Sequence, residues 1–248
     1  MNYVIRRATG TPEFTGDWNG SAWAAADIAE ISHFHEKSSP HRPRTRVKLL
    51  HDDAGIYVLF HIADRYVKCV HTVHQQRVWK DSCVEFFVQP SPGGCYYNIE
   101  MNCGGTMLLY CIEDPGESRT GKLEGFQILP PDVLATIRVH HSLPKQILDE
   151  LTEPIDWTVE YFVPYALFER YTGAIKPPAE RSWRGNFYKC ADETSHPHWG
   201  SWAPIERLDF HQPIHFAPLI FDVGGDGATE TGANYGALDG PVVGPVVG

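Results

Sequence analysis

The sequence predicts an all-β fold, a β-sandwich of jelly-roll or immunoglobulin-like type with one or two short helices. Three observations carry this. Short runs rich in β-branched and aromatic residues recur along the chain, Gly-, Pro- and Asp-rich turn signals separate them, and helical periodicity is nearly absent. Residues 45–51 (TRVKLLH) and 56–63 (IYVLFHIA) flank Asp52-Asp53-Ala54-Gly55 and read as a hairpin. Residues 82–88 (SCVEFFV) form a third strand, followed by the turn cluster 90–94 (PSPGG). Residues 95–102 (CYYNIEMN) and 106–112 (TMLLYCI) make a second hairpin across Cys103-Gly104-Gly105. Further strands are expected at 133–140, 157–163 and 185–191, with a last edge strand at 218–222. Short helices are expected at 22–31 and 164–171.

The 248 residues suit one such domain, and 42% hydrophobic residues supply a full core. The domain is expected to span residues 1–222. Residues 223–248 read as a flexible Gly-rich tail: from 224 onward there are eight glycines and no Lys or Arg, too little to bury to offset the entropy of ordering.

The formal net charge is −10, which argues against nucleic acid as partner because phosphate binding needs a cationic surface. Neutral ligands such as sugars stay open. No apolar run is long enough to span a bilayer. Arg6 and Arg7 have no apolar segment behind them, so no secretory signal is read; this leaves a cytoplasmic chain unless a signal was removed. The six cysteines form no C-x-x-C pair, and reduced, partly buried thiols are the expectation. The histidine pairs His33/His35, His196/His198 and His211/His215 lack an H-E-x-x-H frame and read as surface residues rather than zinc ligands.

Strand side chains alternate between faces, and this parity marks a candidate site. One face of residues 82–88 carries Val84, Phe86 and Val88; the other carries Cys83, Glu85 and Phe87. The same alternation sets Tyr96, Asn98 and Glu100 apart from Tyr97, Ile99 and Met101, and Thr158, Glu160 and Phe162 apart from Val159 and Tyr161. If these strands share a sheet, Glu85, Asn98, Glu100 and Glu160 converge on one solvated outer face beside aromatic rings. Trp79, Trp199, Trp202 and Phe210 lie in polar loops. Aromatic rings can stack on the C–H faces of sugars while carboxylates, amides and arginine reach the hydroxyls.

These residues also carry a family likeness. Asp17-Trp18 with Trp23, residues 47–58 (VKLLHDDAGIYV), 79–87 (WKDSCVEFF), 97–100 (YNIE), 157–160 (WTVE) leading to Pro164, Asn186-Phe187, 201–204 (SWAP) and Phe210-His211-Gln212-Pro213 with Phe216 occur in this order. The chain resembles the family 9 carbohydrate-binding modules, found attached to xylanases and as free-standing bacterial proteins, within a superfamily that includes the DOMON sugar- and haem-binding sandwiches. The resemblance implies a non-catalytic module that holds a mono- or oligosaccharide between two aromatic rings above polar strand residues. By position it implies Trp79 as one ring and Glu85 as the carboxylate. Asn98 stands where the family often has Arg, and Phe210 where a second Trp ring is usual; Arg207 lies near the polar residue preceding that ring. Trp199 or Trp202 are alternatives for the second ring. Structural calcium is a cofactor the resemblance allows, with Asp52 and Asp53 as candidates, although a plain hairpin turn explains both. Two other readings stay open: a glycoside hydrolase using paired strand carboxylates, and a haem-binding domain with Met101 or Met107 as axial ligand.

Overall fold

A computed structural model describes residues 1–113 and 125–223. Its strands are β1 (Tyr3–Arg7), β2 (Ala29–Ile31), β3 (His33–Phe34), β4 (Arg44–His51), β5 (Gly55–Asp64), β6 (Val67–Cys69), β7 (Cys83–Gln89), β8 (Tyr96–Asn102), β9 (Met107–Ile112), β10 (Phe126–Ile128), β11 (Arg138–His141), β12 (Ile147–Leu151), β13 (Ile155–Pro164), β14 (Trp183–Cys190), β15 (Trp199–Ser201) and β16 (Ala217–Phe221). Two short helices, α1 (Pro131–Leu134) and α2 (Tyr165–Thr172), accompany them. The first sheet runs β10-β9-β8-β7-β14-β16, with β15 on β14 and β3 on β15. The second runs β4-β5-β13-β11, with β2 on β4. β1 joins the two: residues 3–5 pair parallel with β16, and residues 6–7 pair parallel with β4. A separate two-stranded ribbon pairs β6 with β12.

The core lies between the sheets. Val84, Phe86 and Val88 of β7 and Tyr97, Ile99 and Met101 of β8 meet Val58, Phe60 and Ile62 of β5 and Val159 and Tyr161 of β13 in one buried cluster. Met101 is paired with Met107 across β8 and β9, and both are in this cluster. The predicted alternation is thus the observed one in β7, β8 and β13.

Three expectations are corrected. Residues 22–31 are not a helix: a single 3₁₀ turn (Ser21–Trp23) precedes β2, which pairs antiparallel with β4 and buries Ala29 and Ile31. The expected strand 133–140 opens instead as α1, because Pro130-Pro131 suits a helix start and Asp132 lies in the first turn; only Arg138–His141 is strand. The cysteines are not all thiols: Cys95 and Cys111 form a disulfide, while Cys69, Cys83, Cys103 and Cys190 are free and buried. The tail expected from residue 223 lies, apart from Val223, outside the described residues.

The 52–55 hairpin turn holds itself. Asp52 Oδ1 accepts the N–H groups of Ala54 and Gly55 at 2.8 and 3.0 Å, its Oδ2 accepts from Tyr57 Oη at 2.7 Å, and Asp53 pairs with Arg7 at 2.9 Å. The plain turn accounts for both carboxylates.

The disulfide closes a 16-residue separation across the β8–β9 hairpin. Cross-linking a loop of that size removes about 3 kcal/mol of chain entropy from the unfolded state. Cys111→Ser should therefore lower unfolding stability by roughly 2–3 kcal/mol in urea titration, and reductant should reproduce the loss in the parent protein; a reductant-insensitive midpoint would contradict it.

Candidate functional site

The outer face of the first sheet forms the site. Register sets Glu85 opposite Glu100 on β8 and opposite Tyr188 on β14, and sets Phe87 opposite Asn98. Asn98 is in turn opposite Tyr110 on β9. The alternation that sends Val84 and Phe86 inward sends these groups to the other side, where loops cover them.

Two loop segments place the rings. Trp79 sits on a 3₁₀ turn (Val78–Lys80) just before β7. The buried Asp81 anchors that turn: its carboxylate accepts the N–H groups of Val70 and His71 at 3.0 and 2.9 Å and Asn102 Nδ2 at 2.8 Å. Trp79 O accepts the Asp192 N–H at 3.2 Å, and Lys80 pairs with Glu193, so the Trp79 turn is tied to the chain leaving β14. Phe210 stacks on Tyr188, with centroids 4.1 Å apart and planes 12° apart, and Tyr188 Oη donates to Phe210 O at 3.1 Å. Trp199 Nε1 donates to Asp192 Oδ1 at 2.7 Å, which fixes that ring beside Trp79 in the same cluster.

These walls enclose a cavity of about 420 Å³, the size class of small-ligand sites. Trp79, Tyr110, Trp199 and Phe210 supply rings; Glu85, Asn98 and Glu100 lie on the sheet below. Asn98 Nδ2 donates to Glu100 Oε1 at 2.8 Å, and its Oδ1 accepts the Tyr110 N–H at 2.8 Å. The Cys190 thiol donates to Glu85 Oε1 at 3.1 Å. Glu85 Oε2 and Glu100 Oε2 are buried with no hydrogen-bond partner among the described residues.

The carboxyls are not on a wet surface, as the strand pattern suggested. Glu85 is 2% and Glu100 4% exposed. Burial pushes Glu85 well above the usual carboxylate range, with Cys190 and Glu100 adding to the shift. Burial likewise raises Glu100 to about 8, against the opposing hydrogen bond from Asn98. Asp192, at the side of the cavity, is raised by burial, partly offset by the Trp199 hydrogen bond. Cys83, Glu85 and Cys190 each place one donor atom within 4.8 Å of the others, a thiol–carboxylate set able to take a thiophilic metal ion.

Of the residues selected from sequence, Trp79, Glu85, Asn98, Glu100 and Phe210 line this cavity. Three do not. Glu160 is on β13, in the second sheet, whose outer face is covered by residues 14–26; Glu160 Oε2 accepts the Gly16 N–H at 2.8 Å. Gly16 has φ +69°, and a Cβ there would stand 2.4 Å from Thr158 Oγ1, so glycine is what allows this close approach. Trp202 is 6% exposed in the main core, its ring 5.3 Å from Phe187 and 6.2 Å from Tyr3. Arg207 is exposed at the rim, 3.7 Å from Asp209. Tyr110, Cys190, Asp192 and His211 also line the cavity and were not selected. The strand alternation, applied to residues 107–112, would have marked Tyr110, which shares parity with Leu108 and Ile112.

The model of carbohydrate-binding family 9 matches residues 22–221. A search of curated proteins finds no match. Among solved structures, a proposed carbohydrate-binding protein from Bacteroides uniformis is 26% identical, with a TM-score of 0.76 over 89% of this chain and 99% of that one. A family 9 carbohydrate-binding module from Caldicellulosiruptor kristjanssonii, solved with cellotriose, is 13% identical, with a TM-score of 0.58 over 92% of this chain and 97% of its own. The same organism's module with glucose gives 14% and 0.54, over 91% and 99%. At these two identities the likeness is one of fold.

Proposed function

The chain belongs to carbohydrate-binding family 9, and from that premise we propose that it binds its saccharide in the aromatic-walled cavity on the outer face of the first sheet. Carbohydrate binding is the function of this module; the location and the residues are our assignment. The observation that carries it is the enclosure of Glu85, Asn98 and Glu100 by the rings of Trp79, Tyr110, Trp199 and Phe210. Rings supply faces for sugar C–H groups, and the unpartnered Oε2 atoms of Glu85 and Glu100 supply hydrogen-bonding positions for hydroxyls.

The electrostatics favour binding over hydrolysis. A glycosidase needs one protonated carboxyl and one ionised one, which requires environments that push two pKa values apart. Glu85 and Glu100 are both pushed up, mainly by the same burial, so neither is poised as base or nucleophile at neutral pH. The protein should leave cellotriose intact through long incubation.

The test is calorimetric titration with glucose and cellotriose. Trp79→Ala should weaken binding by about 1–3 kcal/mol, the cost of losing one stacked ring. Phe210→Ala should act in the same direction. Unchanged affinity in both variants would move the site elsewhere on the module.

A further inference from the structure

The floor of the cavity presents two facing carboxyl groups. Glu85 and Glu100 stand directly opposite each other on β7 and β8, so both cannot ionise without mutual repulsion unless a cation joins them. Each keeps one buried oxygen without a partner. Asp192 and Asp209 bring two further acidic groups to the lining. Among the described residues lining the cavity, none is lysine or arginine. The cations nearby are engaged outside it: Lys80 with Glu193, Arg207 with Asp209 at the rim, and Lys189 with Asp64 on the core side of β14. His211 lines the cavity, with its Nδ1 3.0 Å from Tyr96 Oη. The walls are aromatic, and ring faces attract cations as well as sugar C–H groups.

Resting on the reading of this cavity as the sugar site, we propose that its preferred saccharide is an amino sugar, whose protonated amine sits on the floor between Glu85 and Glu100. An ammonium group offers three donors and a positive charge. It satisfies both orphan oxygens with charge-assisted hydrogen bonds and lets the facing carboxyls ionise without repelling each other, which a neutral hydroxyl does not. The proton balance is simple: a carboxyl that is neutral before binding releases its proton to solvent as the ammonium enters, and no bond is made or broken in the sugar.

The experiment compares pairs differing in one group, glucosamine against glucose and the chitosan trisaccharide against cellotriose, by titration at about pH 6.5, where the sugar amine is protonated. N-acetylglucosamine is the uncharged control. The amino member of each pair should bind about tenfold more tightly, the difference between a charged and a neutral hydrogen-bonded contact. That ratio should collapse in Glu100→Gln and in Glu85→Gln, isosteric changes whose folding is checked by thermal melting; if neither folds, the parent protein's ratio decides alone. Equal or tighter binding of glucose and cellotriose, with loss in Trp79→Ala, would overturn the amino-sugar preference and leave the site standing. Failure of every sugar would overturn both. Stoichiometric zinc retained by the purified protein and displaced by neither amino sugar would show that a metal ion on Cys83, Glu85 and Cys190 is the cation of the floor, and would overturn the proposal as well.

Discussion

Asp64→Ala should destabilise the protein by about 3–5 kcal/mol and lower its Tm by roughly 10 °C, the scale expected when a buried ion pair loses one partner. Asp64 ends β5, and its side chain is wholly buried 3.6 Å from Lys189 Nζ, itself wholly buried on β14. The carboxylate also meets His41 Nε2 at 2.7 Å and accepts from Trp157 Nε1 at 3.2 Å and Arg65 N–H at 2.8 Å. Lys189 donates in addition to His198 Nε2 at 2.9 Å and to Cys190 O at 3.0 Å. Removing Asp64 leaves an ammonium between two sheets with only neutral acceptors. Urea unfolding measures the loss; a change under about 1 kcal/mol would mean that water reaches the cluster and relieves the charge. The paired change Asp64→Leu with Lys189→Met should cost less than Asp64→Ala, because it leaves no orphan.

The same cluster sets an acid limit. Burial, then the neighbouring Lys189, hold His198 down at about 2 in the folded protein, so it is neutral and accepts from Lys189. Burial alone would raise Asp64, but Lys189 and His41 outweigh it and hold Asp64 down at about 2. In both cases the unfolded chain binds protons at higher pH than the folded one. The contribution of His198 is therefore full at neutral pH and is lost as pH drops below about 6.5, and that of Asp64 is lost below about 4, while the raised carboxyls of Glu85 and Glu100 act in the opposite sense over the same range. The stability of the parent relative to His198→Gln should decline between about pH 7 and 4 in urea titration, and a constant difference would contradict this.

Phe187→Ala should cost a further large amount, about 3–5 kcal/mol, through the cavity left in a packed core. Phe187 is fully buried in the middle of β14, with ring centroids of Phe86 at 5.1 Å, Trp202 at 5.3 Å, Tyr3 at 5.7 Å and Phe60 at 6.3 Å. These neighbours come from both sheets and from the bridging β1. Phe187→Leu should lose less than half as much, since it keeps most of the volume. The change also reaches the sugar site: Tyr188 and Cys190, on the opposite face of the same strand, support Phe210 and Glu85. Sugar affinity should fall along with stability, and a variant with full affinity would show that the two faces of β14 are mechanically independent.

The sequence by itself determined the local half of this protein. Alternation is a property of a single strand, so the separation of Glu85 from Phe86 and of Glu100 from Ile99 could be read directly and matches the fold. The ordered motifs from Asp17 to Phe216 pointed to family 9, whose model matches residues 22–221. What tertiary structure alone decided is which strands are neighbours and what covers each face. Glu160 has the same parity pattern as Glu85, yet β13 pairs with β5 and β11 in the second sheet, so 160 and 85 lie on opposite outer surfaces. Trp202 and Phe210 both sit in polar loops, but Trp202 follows β15 into the core while Phe210 folds over Tyr188. Burial of a carboxylate depends on covering segments far away in the chain: residues 199–211 close over β7 and β8, about a hundred positions earlier, and turn an apparently solvated face into a site where Glu100 holds its proton to about pH 8. Local sequence fixes the direction of a side chain, whereas its dielectric surroundings are set by non-local packing, and the chemistry of the site follows the latter.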